Sequence, residues 1–326
     1  MKKTLWILID NRIGSRHQAE GIANYLNDSD FDIVYKNLSY TKFAGLPNFI
    51  RGRSLLGLTS ESKQDIQYPY PDFVLSSTRR TAPIARYIKK KNPATKLIQL
   101  IHIGRTGLKD FELVFVPEHD RYKVKAENIR YTIGCPHFIT SEKLSEAKKE
   151  WEPVFAHLPH PITALIIGGA IKKHKFSIEN AEALAKLVTE QKKNEGGSLL
   201  ITTSRRTGLP AEEKIMSYLK DFPNYAYLWG AKDKNPYLGF LSCADNLIVT
   251  GDSVSMCCEA TAAQKPLKIF TGTDWLTPKH QKFVQSLYDS GYASDLSKAD
   301  KISKLPTDVL NTAKEIAAQI TNLAQV

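Results

Sequence analysis

One stretch late in the chain reads as a strand, a tight turn and a helix, and it carries the side chains best suited to chemistry. Asp252 and Ser253 stand in the turn, where a serine can cap the helix that begins at Val254. The first turn of a helix leaves backbone N–H groups unpaired and carries partial positive charge, so it binds phosphate well. Ser255 and Glu259 are four residues apart and share one helix face. The pattern predicts a phosphate at the helix start and sugar hydroxyls on Glu259, one turn further in.

Glu259 is the one charged residue between positions 254 and 264, among Met, Cys, Ala and Thr residues. Most of this helix should therefore be buried, and a buried carboxylate needs a partner. The alternative to a ligand-binding role is a structural one, in which Glu259 pairs with an arginine.

A second polar loop follows another predicted strand and contains Ser204, Arg205 and Arg206. The planar fork of arginine suits a diphosphate, and neighbouring hydroxyls supply further donors. Gly168 and Gly169 come directly after a third predicted strand, where the lack of side chains lets the backbone approach a ligand closely. The alternatives are a solvated arginine pair and an ordinary glycine turn.

The N-terminal half has a related pattern, a strand that ends at Asp10, a glycine turn with Gly14 and Ser15, and a helix start near His17. This turn is a second potential anion cradle. It lacks the full GxGxxG fingerprint, which disfavours a dinucleotide site. Asp10 and His17 are candidates for a general base.

Another candidate base is His119, which follows a predicted strand and stands beside the carboxylate of Asp120. The alternative is a structural histidine. Arg79 and Arg80 lie in a segment, 76–81, that echoes the hydroxyl-rich diarginine segment at 202–207. Two such loops at strand ends indicate two similar domains whose ligand-binding edges face one cleft.

We expect no metal site. Asp28, Ser29 and Asp30 match a DxD pattern but read as a polar turn, and Pro159 separates His157 from His160. The four cysteines show no zinc-ligand spacing, so we expect reduced, structural thiols.

The length of 326 residues predicts two domains, which we place at 1–150 and 151–326. The net charge of +11 is uneven, with 25 basic and 16 acidic residues in the first half against 20 and 18 in the second. The basic half is expected to meet something anionic, such as lipid head groups, a phosphorylated acceptor or nucleic acid. A solvated lysine-rich surface is the alternative.

The segment 40–59 combines seven apolar anchors with Lys42, Arg51 and Arg53, a composition that suits a membrane interface carrying anionic lipid. Its alternative is an irregular loop folded onto its own domain. Neither RNP-type aromatic residues nor a recognition-helix pattern is present, so nucleic acid is not the expected partner. No apolar run reaches membrane-spanning length, and no signal peptide is evident. We expect a cytoplasmic protein, peripheral on the inner face of the membrane.

Short apolar runs alternate with amphipathic stretches along most of the chain, a pattern typical of doubly wound α/β units with parallel sheets. The predicted strands are 5–9, 31–35, 72–76, 96–101, 113–116, 163–167, 198–202, 225–228, 246–250 and 267–270. The predicted helices are 16–27, 82–91, 141–157 with Ser141 as its cap, 177–193, 211–220, 254–264, 279–290 and 307–323. The last of these carries an apolar stripe that must dock against a core.

These motifs resemble known proteins. Residues 252–260, followed by Gln264-Lys265-Pro266, resemble the nucleotide-binding segment of GT-B glycosyltransferases and of non-hydrolysing UDP-N-acetylglucosamine 2-epimerases. Nearly the whole chain resembles the Elm-one-like mitochondrial fission family of bacterial and plant proteins. The motifs that carry this second resemblance are 117–120 (PEHD), 203–207 (TSRRT), 235–240 (NPYLGF) and 250–260 (TGDSVSMCCEA).

The resemblance implies a GT-B architecture, with two Rossmann-like domains, the nucleotide-sugar donor in the C-terminal domain and Glu259 on the ribose. The chain departs from the family pattern at two places. In the first loop, Gly14-Ser15 stands where relatives commonly carry Gly-His, and a second difference lies at Ser77 or Thr78, where relatives carry glycine. The implied activity is metal-independent transfer of a sugar from a nucleoside diphosphate, with no other cofactor, to an envelope lipid or saccharide. A nucleotide-sugar epimerase and a non-catalytic membrane-associated scaffold are the alternatives.

Overall fold

The computed structural model describes residues 2–26, 29–298 and 310–325. The chain divides into two compact units, which we call unit 1 (residues 1–138 and 311–326) and unit 2 (residues 139–310). The division falls before the helix at 141–155 rather than at the predicted position 150, because Phe155 of that helix packs on Tyr225 and Phe240 of unit 2, and Trp151 stacks on Phe155.

Unit 1 contains a six-stranded sheet in which every neighbouring pair is parallel, in the order β2-β1-β3-β4-β5-β6. The strands are β1 (Lys3–Ile9), β2 (Phe31–Asn37), β3 (Phe73–Ser76), β4 (Lys96–Leu100), β5 (Leu113–Pro117) and β6 (Ile129–Thr132). The central strands are nearly continuous runs of buried Val, Ile, Leu and Phe, as expected for a parallel sheet covered on both faces.

Helices cover both faces of this sheet. They are α1 (Ile13–Ala23), α2 (Asn48–Arg51), α3 (Ser60–Gln64) and α4 (Ala82–Lys91), with 3₁₀ turns at Lys42–Gly45, Leu108–Asp110 and Glu118–Asp120. The prediction for α4 is confirmed at both ends, since Pro83 suits the first helical turn and three lysines close the last one.

Unit 2 also has an all-parallel six-stranded sheet, in the order β12-β11-β10-β7-β8-β9. The strands are β7 (Ile162–Ile167), β8 (Ser198–Thr203), β9 (Asn224–Tyr227), β10 (Asn246–Thr250), β11 (Leu267–Phe270) and β12 (Ser294–Asp295). Its helices are α5 (Ser141–Phe155), α6 (Ile178–Glu195), α7 (Leu209–Leu219), α8 (Tyr237–Cys243), α9 (Val254–Thr261) and α10 (Pro278–Asp289). The cap of α5 is Thr140 rather than Ser141, because the Thr140 hydroxyl accepts the Lys143 N–H.

The last helix, α11 (Thr312–Gln325), belongs to unit 1 rather than to the C-terminal unit. Its buried stripe, Ala313, Ile316, Ala317 and Ile320, joins the core that α1 covers. The prediction that this helix docks on an apolar surface is therefore confirmed. Of its predicted start, positions 307–309 lie outside the described residues.

Each sheet has a switch point. It lies between two neighbouring strands whose connections to the next strands run in opposite directions along the sheet. In unit 1 it lies between β1 and β3, and in unit 2 between β7 and β10. Open α/β sheets bind ligands beyond the carboxyl ends of the strands at this place. The two switch points thus position Asp10 in unit 1, and Gly168 and Asp252 in unit 2.

Candidate functional site

The switch point of unit 2 is organised around the carboxylate of Asp252, which is almost fully buried. Its Oδ1 accepts a hydrogen bond of 2.7 Å from the Thr250 hydroxyl, and its Oδ2 accepts one of 2.8 Å from the Gly169 N–H. Arg206 Nη1 lies 2.6 Å from the same Oδ2. These bonds join the ends of β7 and β10 to the loop after β8. Burial nevertheless raises the pKa of Asp252, against the opposing effects of Arg206 and the hydrogen bonds.

Two glycines make this approach possible. A Cβ on Gly168 would lie 2.2 Å from Asp252 Oδ2, and one on Gly169 would lie 2.0 Å from the Arg206 carbonyl oxygen. Gly169 also has φ +151°, which L side chains rarely adopt. Its carbonyl accepts a hydrogen bond of 3.1 Å from the indole of Trp275. The glycine pair is therefore required for close packing of backbone and carboxylate, which goes beyond an ordinary turn.

The loop 204–207 rests on the same glycines. Ser204 Oγ and Thr207 Oγ1 both donate to the Gly168 carbonyl, at 2.6 and 2.5 Å. Arg206 is held by Asp252 and by the Ala170 carbonyl, so its guanidinium shapes the loop. Arg205, in contrast, is exposed and makes no ion pair with any residue that the structure describes. Of the two arginines, Arg205 is the one available to a ligand.

Helix α9 begins beside this network. The Ser253 side chain accepts the Met256 N–H at 3.4 Å, which confirms the predicted cap. Val254 and Ser255 form the first turn and are half-buried. The helix start therefore has the backbone geometry and dipole of an anion site.

One turn further along α9, the Glu259 carboxylate is buried and accepts a hydrogen bond of 2.7 Å from the Tyr237 hydroxyl. The alternative of an arginine partner is wrong, because the partner is this tyrosine at the start of α8. Burial raises the pKa of Glu259 to about 7, although the tyrosine hydrogen bond opposes the shift. A buried carboxylate with one neutral partner keeps acceptor capacity for ligand hydroxyls.

Sequence reasoning from the residues assigned no role to Tyr237. A signal existed, because Tyr237 lies in the 235–240 segment that carries part of the family resemblance. The contact itself spans 22 positions and depends on α8 packing beside α9, which periodicity does not encode.

In unit 1, the Asp10 carboxylate lies at the end of β1 and is 3% exposed. Arg12, which is exposed, donates its N–H to Asp10 Oδ1 at 3.1 Å and places Nε 3.7 Å from Oδ2. Gly14 is exposed and Ser15 is half-buried in the first turn of α1. His17, also on α1, packs its ring 4.3 Å from that of Phe138.

The loop 78–81 follows β3, and side chains of the segment 40–59 donate hydrogen bonds to its carbonyl groups. Arg51 donates to the Arg80 carbonyl at 3.0 Å, and Asn48 donates to the Arg79 carbonyl at 3.2 Å. The side chain of Arg79 is exposed and that of Arg80 is half-buried, 5.9 Å from the Tyr40 ring. Both arginines thus keep cationic groups at the carboxyl edge of the sheet of unit 1.

His119 and Asp120 lie in the 3₁₀ turn after β5 and are half-buried. They are at the expected edge of the sheet. However, β5 is three strands from β1, which separates His119 from Asp10 by about 14 Å at the usual strand spacing. The two candidate bases are therefore alternatives rather than partners.

The remaining polar patterns are the histidine pair, the DxD segment and the cysteines. His160 pairs with Asp245 Oδ2 at 2.6 Å, and no group of three metal-ligating side chains occurs within residues 2–26, 29–298 and 310–325. Ser29 and Asp30 lie in a turn, while Asp28 falls outside the described residues. All four cysteines are free thiols, three of them buried.

The segment 40–59 is anchored to its own unit through Arg51, which is 1% exposed. Its outward surface still exposes four large apolar side chains, Phe43 at 49%, Phe49 at 70%, Ile50 at 52% and Leu56 at 40%. We call these four the apolar patch. The described helices include none that is long and apolar enough to cross a membrane.

Two Rossmann-like units, each with a parallel sheet and polar loops at its switch point, define the GT-B class of α/β fold. UDP-GlcNAc 2-epimerase from Methanocaldococcus jannaschii has this fold, with a TM-score of 0.56 at 13% identity over 98% of this chain and 99% of that chain. The predicted fold class is confirmed.

The chain belongs to the mitochondrial fission ELM1 family, whose model matches residues 13–323. Protein RP120 of Rickettsia prowazekii is 29% identical, over 96% of each chain. The mitochondrial fission protein ELM1 of Arabidopsis thaliana is 27% identical over 81% of this chain, which spans 66% of the plant protein. The predicted family membership is confirmed.

Proposed function

We propose that the protein is a metal-independent glycosyltransferase that takes a sugar from a nucleoside diphosphate and passes it to an envelope lipid or saccharide acceptor. Unit 2 binds the donor, and unit 1 binds the acceptor at the inner face of the cytoplasmic membrane. This assignment combines the GT-B fold with the chemistry available at the two switch points.

The observation that carries the donor assignment is the pairing of two features on one short helix. The start of α9, capped by Ser253, offers N–H groups and positive dipole, while Glu259 one turn later offers a buried carboxylate. A nucleoside diphosphate carries its phosphates and ribose hydroxyls at a comparable separation. Arg205 supplies a free cation for the second phosphate.

The same groups suit the chemical step. As the sugar leaves, negative charge develops on the diphosphate, and the helix dipole together with Arg205 stabilises that charge without a metal. The acceptor hydroxyl needs a base, and we assign this role to His119, oriented by Asp120, with Asp10 and His17 as replacements. Arg79 and Arg80 supply positive charge toward an anionic acceptor, and the turn at Gly14 and Ser15 supplies backbone N–H groups at the start of α1.

The apolar patch favours transfer over epimerisation. An epimerase acts on one nucleotide sugar and has no need for a second, amphiphilic substrate. Unit 1 exposes Phe49 and Ile50 close in sequence to Lys42 and Arg53, the combination that binds anionic bilayers. The epimerase and scaffold alternatives remain as outcomes of the following tests.

Calorimetric titration with UDP, GDP, ADP and CDP tests the donor site. We expect one of them to bind, and Glu259→Gln to weaken that binding by tenfold or more, as for loss of a charge-assisted hydrogen bond. Glu190→Gln, an exposed carboxylate of unit 2, is the matched control. Binding of none of the four would favour the scaffold.

Co-sedimentation with anionic vesicles tests the acceptor side. Phe49→Ser with Ile50→Ser should reduce binding, whereas Leu209→Ser with Ile178→Ser, similarly exposed but in unit 2, should not. Added salt should weaken binding by screening the basic residues. If the wild-type protein does not co-sediment with these vesicles at low salt, the acceptor is a soluble molecule rather than a membrane lipid.

Turnover separates transfer from epimerisation. With purified envelope membranes and labelled donor, a transferase moves the label into the membrane fraction and releases the nucleoside diphosphate. An epimerase changes the sugar with no membranes present. His119→Ala should lower transfer by about 10²–10⁴-fold while donor affinity stays unchanged; an unchanged rate would move the base to Asp10 or His17.

A further inference from the structure

Unit 1 contains a pocket of about 750 Å³ that none of the roles above uses. It is lined by the extended crossover 121–127, together with Ile129 and Tyr131 of β6. The volume falls in the range typical of small-molecule sites. The pocket begins directly after the turn that holds His119 and Asp120.

The crossover alternates between two environments. Tyr122, Val124 and Ala126 are half-buried and pack on a hydrophobic core cluster of unit 1. The residues between them, Lys123 and Lys125, are exposed. The pocket therefore has an apolar and aromatic floor, and its rim carries three cations, Arg121, Lys123 and Lys125, and one carboxylate, Glu127.

The cations on this rim differ in their availability. Arg121 is occupied, because it forms two hydrogen bonds of 2.7 Å with Glu118 and lies 3.6 Å above the Tyr131 ring. Lys123 and Lys125 make no ion pair with any residue in the described ranges. Two lysines remain able to neutralise a ligand's negative charge.

Tyr122 adds a polar group inside the apolar floor. Its hydroxyl oxygen is buried and has no hydrogen-bond partner among the described residues. Its ring lies 4.8 Å from that of His102. That oxygen is not exposed to the pocket, so a ligand on the floor meets the ring of Tyr122 rather than its hydroxyl.

The pocket and the segment 40–59 pack on one core. Leu55 of the segment 40–59 and Tyr122 of the pocket pack on the same cluster of buried residues. Arg53 binds Asp110 at 2.5 Å, and Asn128 donates to the carbonyls of Leu108 and Phe111, which ties both segments to the turn 108–110.

We propose that this pocket binds the apolar chain of a lipid with an anionic head group, whose charge is held by Lys123 and Lys125. That lipid carries the acceptor hydroxyl, a part of the inference that rests on the proposed transferase function. An apolar floor with two free cations complements such an amphiphile better than it complements a fully polar anion.

Calorimetry with single-chain alkyl phosphates below micelle concentration tests the pocket. Octyl phosphate should bind about 16-fold more tightly than hexyl phosphate, because each buried methylene contributes roughly fourfold. Inorganic phosphate and octyl glucoside, which lack the chain and the charge respectively, should bind much more weakly than octyl phosphate. Equal affinity for hexyl and octyl phosphate would overturn the proposal.

Two kinds of variant locate the binding. Lys123→Gln with Lys125→Gln should weaken octyl phosphate by about tenfold and flatten its salt dependence. Lys90→Gln with Lys149→Gln, which removes two exposed lysines elsewhere, should change neither quantity. Ala126→Trp should fill the apolar floor of the pocket and so prevent octyl phosphate from binding. If the Lys123/Lys125 variant binds octyl phosphate as the wild type does, the pocket is not the site.

UDP titration of the same protein separates this inference from the proposed function. The pocket variants lie in unit 1, so we expect them to leave nucleotide binding by unit 2 unchanged. UDP binding without octyl phosphate binding would remove the lipid pocket and leave the donor assignment intact. Octyl phosphate binding with no nucleoside diphosphate bound would retain the pocket and remove the transferase.

Discussion

The two diarginine loops have the same internal hydrogen bonds. In unit 1 the Thr78 N–H donates to Thr81 Oγ1 at 3.0 Å and the Arg80 N–H to Thr78 Oγ1 at 3.2 Å. In unit 2 the Ser204 N–H donates to Thr207 Oγ1 at 3.0 Å, and the Arg206 N–H to Ser204 Oγ at 3.2 Å. The sequence echo is thus a repeated local structure.

Their surroundings differ. Around the first loop, carbonyl oxygens are bound by side chains of unit 1, with Arg51 on Arg80 and Gln99 on Thr78. In the second loop, the side chains reach outward, since Thr207 binds the Gly168 carbonyl and Arg206 binds Asp252. The first loop therefore binds the segment 40–59 through Arg51, whereas the second loop is part of the hydrogen-bonded network at the switch point of unit 2.

The loops also occupy different places in their sheets. The first follows β3, one of the two strands at the switch point of unit 1, while the second follows β8, one strand away from the switch point of unit 2. They do not mark equivalent positions in two copies of one domain. A shared local structure therefore predicts no shared function, which depends on what the loop contacts.

The largest expected effect is on Asp252. Asp252→Ala removes the acceptor for the Gly169 N–H and the partner of Arg206, so we expect a loss of about 3 kcal/mol in the free energy of unfolding of unit 2. Urea denaturation measures it. A loss below about 1 kcal/mol would mean that this network does not hold the site together.

Paired threonine variants compare the loops directly. Thr81→Val leaves the buried Thr78 N–H unpaired, Thr207→Val leaves the part-buried Ser204 N–H unpaired, and each should cost about 2 kcal/mol of stability. Only Thr207→Val should also weaken nucleoside diphosphate binding, because only Thr207 contacts Gly168. Equal effects on binding would contradict the distinction drawn between the loops.

The exposed arginines give a sharper comparison. Arg205→Ala should weaken nucleoside diphosphate affinity by about 1.5 kcal/mol, roughly tenfold, and leave stability nearly unchanged. Arg79→Ala removes the corresponding exposed arginine of the first loop and should not affect that affinity. Calorimetry at one salt concentration measures both; a response to Arg79→Ala would place the anion in unit 1.

The smallest effect concerns pH. With the pKa of Glu259 raised to about 7, the folded state holds more protons than the unfolded state between pH 4.5 and 7. The contribution of Glu259 to stability therefore falls as pH rises through this window. We expect the neutral carboxyl to bind ribose hydroxyls about tenfold more weakly than the ionised one, as for Glu259→Gln, so affinity should fall roughly fivefold from pH 8 to pH 6. Glu259→Gln should bind the nucleoside diphosphate more weakly than the wild type from pH 6 to pH 8, and its affinity should lose the pH dependence that Glu259 causes. If the variant and the wild type show the same pH dependence of affinity, Glu259 does not contact the ribose.

Sequence patterns predicted the buried parallel strands well. Nearly every residue in runs such as 163–167 and 246–250 is buried, so each run is largely apolar and stands out in the sequence. The patterns missed β6 and β12, which lie at sheet edges and are short, and α8, whose apolar residues span too few turns to show a period. The cap at Ser253 is local and was predictable. The bond from Arg206 to Asp252 and that from Tyr237 to Glu259 required the tertiary fold, because they join residues 46 and 22 positions apart.

Hydrogen–deuterium exchange with and without a saturating nucleoside diphosphate tests the central claim most directly, because it reports both switch points in one experiment. The donor assignment predicts slower exchange at 168–170, 204–207 and 253–259 of unit 2, with 10–16 and 76–81 of unit 1 unchanged. Protection confined to 10–16 and 76–81 would contradict it.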